Sequence, residues 1–291
     1  LILKLKVAFS IFLSLESNGY NWIRNQESVA YLKSKISADY HYGVVLGSGL
    51  GNFTDVINIH VQIPYKEIPN FLTSTVLGHK GSLIFGEVSG KNVVAMSGRF
   101  HYYEGYSMQE VVFPIRVMKY LGIDNVIISN ASGGMNGAFE VGDLMIITDH
   151  IYLQPEHPLR GKNDDRLGPR FPNMNDVYNP DYISKAKAIA ALNNIKVHTG
   201  VYVGVQGPTF ETPAEYKAFA LMGGDAVGMS TTPEVVVARH MGMEVFAISV
   251  ISDMGYPPEK ADRVSHAFVL EKAAAAEPKM TLIIQELLKE I

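Results

Sequence analysis

The chain has no cysteine among its 291 residues. A disulfide scaffold and a thiolate zinc site are therefore excluded, and the composition fits a reducing, cytoplasmic location. It also lacks a basic face: 25 Lys and Arg stand against 29 Asp and Glu, a net charge of −4. Nucleic-acid binding needs concentrated positive charge, so no such partner is expected. The apolar run near the start is shorter than the roughly 20 residues a bilayer span needs, so no membrane partner is expected either. His150, His157 and His240 lack metal-ligand spacing with a partner, and no metal site is expected. A Gly-x-Ser-x-Gly hydrolase elbow is absent. So are a Lys-Ser/Thr after the first Gly-rich loop and a glycine at position 52, which rules out a P-loop and a dinucleotide fingerprint there.

What remains is an apolar, glycine-rich chain, 47% hydrophobic with 26 Gly, consistent with a compact core. Residues 1–15 place Lys4 and Lys6 before an apolar run. A signal peptide would show a small-x-small cleavage site before Glu16, and none is present, so an extension outside the fold is expected. Residues 16–291 are expected to form one domain, since no linker, repeat or low-complexity block divides them. Apolar runs predict strands over 43–46, 83–88, 92–97, 125–129, 144–148, 200–205, 226–229 and 245–251. Several are unbroken Val/Ile stretches, as in strands covered on both faces. Helices are predicted over 26–37, 108–121, 180–192, 213–222, 233–241 and 260–290, and a long loop over 154–178. The alternation reads as α/β.

Five motifs follow strand-like runs. Gly47-Ser48-Gly-Leu-Gly51 offers backbone N–H groups and a hydroxyl to an anion; a tight structural turn is the plainer reading. In Gly98-Arg99-Phe-His101-Tyr-Tyr103-Glu104-Gly, Arg99 and His101 share a side if the segment is extended, and a guanidinium fits phosphate oxygens. Ordinary surface salt bridges would explain the same residues. Asn130-Ala131-Ser-Gly-Gly134 sits at a strand carboxyl end, where α/β proteins hold ligands. Gln206-Gly-Pro-Thr-Phe210-Glu211 places an acid beside an aromatic ring. Val227-Gly-Met229-Ser230-Thr231 leads into a helix, and the apolar run after it ends at Ser252-Asp253. Two acids near an anion site suit a flat, polar-edged ring. His79, between glycines, and His266, near the last helix, are unremarkable taken singly.

Together, in this order, the motifs resemble the trimeric purine nucleoside phosphorylases, the group that acts on 6-oxopurine nucleosides and includes methylthioadenosine relatives. The resemblance runs from about Ser17 to the C-terminus. It implies a single α/β domain with a mixed central sheet flanked by helices, of the phosphorylase/hydrolase-like type. It implies reversible phosphorolysis to free base and ribose 1-phosphate in purine salvage, a homotrimer, and no cofactor beyond phosphate as co-substrate. Ser48, His79, Arg99, His101, the backbone of Ala131, and Ser230 would bind phosphate. Tyr103, Tyr202, Met229 and His266 would contact the ribose, and Phe210 and Val227 the base. Glu211 would take the N1–H edge, and His101, Glu211 and Asp253 would be catalytic.

Two departures matter. Asp253 stands where the inosine–guanosine enzymes carry Asn, and an ionised Asp only accepts hydrogen bonds, which suits a 6-amino group better than O6. The loop after His150 is shorter than the family's, leaving Tyr152 to stand in for the aromatic that loop lends a neighbouring subunit. Methylthioadenosine phosphorolysis and non-catalytic nucleoside binding stay open as alternatives at this point.

Overall fold

The computed structural model describes residues 19–73 and 81–291. The 1–15 extension and His79 lie outside the described residues. Nine strands are found among the described ones: β1 (Tyr42–Val45), β2 (Asn58–Pro64), β3 (Ser82–Val88), β4 (Lys91–Ser97), β5 (Asn125–Gly134), β6 (Leu144–Tyr152), β7 (Val197–Gly204), β8 (Ala226–Gly228) and β9 (Glu244–Met254). They form one mixed sheet in the order β2-β3-β4-β1-β5-β8-β7-β6-β9. The far edge does not stay open. β9 returns to pair in parallel with β5, so β5, β8, β7, β6 and β9 close into a ring. Closure removes the exposed edges that a flat sheet would leave on these strands.

The helices are α1 (Gly19–Lys33), α2 (Met108–Val111), α3 (Phe113–Tyr120), α4 (Pro180–Leu192), α5 (Pro213–Leu221), α6 (Thr232–His240) and α7 (His266–Glu290). Their starts follow the chemistry of the first turn. Asn179 accepts from the backbone of Asp181 and Tyr182, with Pro180 at the first helical position of α4. Thr212 and Glu215 form a reciprocal capping box on α5.

Side chains alternate across the strands, and each face has its own core. Val45, Val94, Met96, Val126, Ile128, Val245 and Ala247 pack with α1, α3 and α6. Their neighbours Val44, Val93, Ala95, Ile127, Phe246 and Ile248 pack with α4 and α7. The sheet is thus buried on both sides, which explains its unbroken apolar runs.

The structure lengthens and adds to the elements read from sequence. β2 was not anticipated, although Ile59, Val61 and Ile63 alternate as a strand should. β5 does not end at Ser129; its Asn-Ala-Ser-Gly-Gly continues as strand to Gly134 because β9 runs alongside it. The predicted 260–290 helix begins at His266, where the Ser265 hydroxyl accepts from Phe268 N. One register shift falls where Ser132 pairs with Ile251 but Gly133 with Asp253. Ser252 is therefore the extra residue of a bulge in β9, a device that re-aims side chains near sites.

Gly47 connects this fold to the site. A Cβ there would lie 2.8 Å from Asn130 Cα and 2.9 Å from Ser129 O, backbone atoms that cannot swing aside. Gly47→Ala is expected to cost about 1–3 kcal/mol by overpacking, measured as a lower urea midpoint with an unchanged m-value.

Candidate active site

Strand ends and loops converge on one cavity of about 590 Å³, a size usual for small-molecule sites. Ser48 comes from the loop after β1. Arg99, His101, Tyr103 and Glu104 follow β4. Asn130, Ala131, Ser132 and Gly133 are the distal half of β5. Phe210 and Glu211 precede α5, Val227 to Ser230 span β8 and the turn into α6, Asp253 closes β9, and His266 opens α7.

At one end a guanidinium, an imidazole and hydroxyl groups gather. Arg99 is 1% exposed, and its Nε lies 3.1 Å from Glu234 Oε1. Its Nη1 donates to Ser230 Oγ at 2.9 Å and contacts Thr231 Oγ1 at 3.5 Å. Thr231 has φ 70° and ψ −57°, and Thr232 N bonds back to Ser230 O at 2.8 Å, a γ-turn of the rarer, positive-φ form. For a β-branched residue this conformation is strained by about 1–3 kcal/mol and persists only where the surroundings fix it. Here Asn130 Nδ2 donates to Thr231 Oγ1 at 2.9 Å, and Thr231 N donates to Glu234 Oε2 at 2.7 Å. Asn130 is held in turn by Ser249 Oγ at 2.6 Å. The turn presents Ser230 beside Arg99.

His101 completes this end. Glu104 Oε1 lies 3.2 Å from His101 Nδ1 and accepts from His101 N at 2.8 Å. A carboxylate only accepts, so Nδ1 carries a proton. Burial pushes the His101 pKa down, against the pull of Glu104. The neutral ring then offers Nε2 as an acceptor. Its face stacks on Tyr103 at 4.7 Å.

The opposite end is acidic. Asp253 is 2% exposed; its Oδ1 accepts from Ser252 Oγ at 2.7 Å and its Oδ2 from the Tyr216 hydroxyl at 3.1 Å. Burial raises the Asp253 pKa. Burial also raises Glu211, to about 7, with the charges of Asp253 and Glu215 adding to it. Tyr216 is clamped. A Cβ on Gly255 would lie 2.1 Å from its ring, and one on Gly133 would lie 2.5 Å from its hydroxyl. Phe210, 40% exposed, forms an open apolar wall beside Glu211.

All the residues assigned to this site from sequence line the cavity except two. His79 lies outside the described residues. Tyr202 is fully buried and is not on the wall; its hydroxyl accepts from Ser230 N at 3.5 Å, so it backs the turn rather than facing a sugar. Tyr152, expected to serve a neighbouring subunit, lies at a separate cavity: its hydroxyl donates to Glu156 O at 2.6 Å and its ring packs on His157. Sequence reading missed Tyr216, the Asn130 side chain and Glu234. Glu234 was legible as the third residue after Thr231, a capping-box spacing. Tyr216 carried no local signal.

The comparisons with known proteins agree with this arrangement. Residues 41–289 match the phosphorylase superfamily. The chain belongs to that family. It is 52% identical over 229 residues to purine nucleoside phosphorylase 1 of Geobacillus stearothermophilus, covering 79% of this chain and 84% of that protein. It is 43% identical to the purine nucleoside phosphorylase of Rattus norvegicus over 94% of this chain and 97% of the relative. The crystal structure of Schistosoma mansoni purine nucleoside phosphorylase in complex with adenosine superimposes with a TM-score of 0.87 at 40% identity, covering 92% of this chain and 96% of that one. Isoform 2 from the same organism, in complex with cytosine and ribose-1-phosphate, gives 0.88 at 38% identity over 93% and 97%.

The raised pKa of Glu211 has a consequence for stability. The folded state holds this proton up to about pH 7, whereas an unfolded Glu releases it near the ordinary 4.5 of the side chain. Between those values folding takes up a proton, so stability falls as pH rises and the penalty is complete above about 7. Glu211→Gln removes the ionisable group. Its Tm relative to wild type is expected to rise from pH 4.5 to about 7 and to level off above that, and a difference that stays flat throughout would show that Glu211 titrates normally.

Proposed function

We propose that the protein catalyses reversible phosphorolysis of purine nucleosides, releasing free base and ribose 1-phosphate. One observation carries the reading: a single cavity joins an end of guanidinium, imidazole and hydroxyl groups to an end bearing two carboxyls and an aromatic wall. Relatives covering most of the chain are named purine nucleoside phosphorylases, and similar solved structures are complexes with adenosine and with cytosine and ribose-1-phosphate, which supports this reading.

The chemistry follows from the charges. Phosphate held by Ser48, Arg99, His101, Ala131 N and Ser230 attacks C1′ as the C1′–N9 bond breaks. The bond electrons leave with the purine, so the ribose turns cationic and the base anionic in the transition state. The dianion beneath the sugar stabilises the first. A donor at N7 or O6 stabilises the second. Preorganised groups of this kind usually supply the largest part of the rate enhancement. Neutral His101 accepts a phosphate O–H through Nε2 and fixes the anion's orientation. Tyr103, Met229 and His266, which line the cavity, are assigned to the ribose; Phe210 and Val227 are assigned to the base. Phosphate is the co-substrate and no other cofactor is proposed. Among the described residues no cluster of His, Asp or Glu suits a metal ion. A homotrimer and a cytoplasmic setting complete the proposal.

Glu211 favours 6-oxopurines when ionised, because it accepts from N1–H. Asp253, when ionised, adds tolerance for a 6-amino group, because it accepts from the amino N–H. Inosine and guanosine are the proposed preferred substrates, with measurable adenosine cleavage. The test is a nucleoside panel with and without phosphate. Hypoxanthine release that requires phosphate supports the assignment; binding without turnover would make this a nucleoside carrier, and preference for methylthioadenosine would place it with that branch. Asp253→Asn is expected to raise the inosine-to-adenosine ratio of kcat/KM at pH 7 about 5- to 150-fold, the worth of one buried hydrogen bond matched or mismatched at about 1–3 kcal/mol. An unchanged ratio would remove Asp253 from contact with the purine.

A further inference from the structure

Asp253 is held from two sides. Ser252 Oγ lies 2.7 Å from its Oδ1, and the Tyr216 hydroxyl lies 3.1 Å from its Oδ2. Both Asp253 and Tyr216 are buried. The proton positions follow from the partners. Asp253 Oδ2 is the hydrogen-bond partner of the phenol among the described residues, so the phenol donates there. Ser252 Oγ also lies 3.2 Å from Ser132 O, but its one proton goes to the shorter contact. That contact has the length of a hydroxyl donating to a charged oxygen. Two donors aimed at the two oxygens of one carboxyl favour its ionised form.

The place of the phenol is built into the backbone. Gly133 pairs with Asp253 across β5 and β9, and Gly255 follows β9 directly. A Cβ on Gly133 would stand 2.5 Å from the phenol oxygen, and one on Gly255 would stand 2.1 to 2.3 Å from three ring carbons. Neither glycine has a positive φ. Room for the Tyr216 ring, not backbone conformation, is therefore what excludes a side chain at both positions. From the other side, Tyr216 N bonds Thr212 O at 3.0 Å, within the turn that the Thr212–Glu215 capping box fixes.

We infer that Tyr216 is a specificity-determining residue: with Ser252 it holds Asp253 as an ionised carboxylate that accepts at both oxygens, and so gives the pocket an acceptor for the 6-amino group of an aminopurine nucleoside. The inference rests on the phosphorolysis reading and names how that site admits a second class of purine. Tyr216 acts through Asp253 and is a positioning residue. It works against the surroundings. Burial and the charge of Asp262 favour the protonated acid, and the two hydroxyl donors oppose them. A protonated Asp253 presents a donor, which suits O6 of an oxopurine and meets a 6-amino group donor to donor. Without the phenol only Ser252 opposes the proton.

The experiment is the ratio of kcat/KM for inosine to that for adenosine, at pH 7 and one phosphate concentration. The fraction of folded enzyme cancels in such a ratio. Tyr216→Phe keeps the ring that fills the space between Gly133 and Gly255 and removes the donor alone. It is expected to raise the ratio about fivefold or more, the worth of one buried hydrogen bond. In an Asp253→Asn background there is no carboxylate to hold ionised, so adding Tyr216→Phe is expected to change the ratio by less than about twofold. An unchanged ratio in Tyr216→Phe would overturn the inference and leave the tyrosine as a packing residue. An effect of full size in the Asp253→Asn background would overturn it too, because the tyrosine would then act without the acid. So would a wild type that leaves adenosine intact. In each of those cases phosphate-dependent cleavage of inosine keeps the phosphorylase reading, whereas a wild type that releases base from neither nucleoside ends that reading itself.

Discussion

A buried guanidinium needs a buried partner, and the pairing of Arg99 with Glu234 organises much of this molecule. Arg99 arrives just after β4 and Glu234 sits in the first turn of α6, so the contact ties one half of the sheet to the helix that follows β8. Removing one partner of such a pair typically costs about 3–5 kcal/mol, because the other charge is left without compensation. Glu234 spends its second oxygen on Thr231 N, and Arg99 spends a further nitrogen on Ser230. The strained γ-turn is therefore held by the same two side chains that neutralise each other. Asn130 and Ser249 extend the network into β5 and β9.

The ring of strands supplies the other end. Because β9 turns back to β5, Asp253 is brought beside Gly133, and the bulge at Ser252 turns the acid toward the cavity. A regular ladder would place alternate residues on opposite faces through this stretch. The extra residue breaks that alternation and lets Ser252 bond Asp253 while both line the same space. The acid is raised in pKa by the burial that the ring imposes.

Much of this was legible in the sequence, and the losses have physical causes. The Val/Ile runs of β4, β5 and β9 announced themselves because both faces are covered. The motif residues Ser48, Arg99, His101, Glu211, Ser230 and Asp253 fell at strand ends and do line one cavity. β2 was lost because its outer face is open, with Ile59 45% exposed, and its short alternation sits among polar residues. The end of β5 was read as a turn because Ser-Gly-Gly is turn-like locally; only its pairing with β9, more than a hundred residues later, makes it strand. Tyr202 was assigned to the sugar through resemblance, but it is fully buried behind the turn at Ser230. Tyr216 was read as a plain helical residue, since its meaning depends on an acid 37 positions away.

The two ends of the cavity differ in how many other parts of the chain they answer to. The end around Arg99 is woven from residues after β4, from β5 and β9, and from α6, and Asn130 and Glu234 there also hold the turn at Thr231. The acidic end hangs on a few local contacts: two oxygens of one carboxylate, one phenol, and two glycines that make room for it. A lineage carrying this scaffold is therefore free to rewrite which ring it accepts by changing single residues. The machinery that breaks the bond can change only if several distant positions change together.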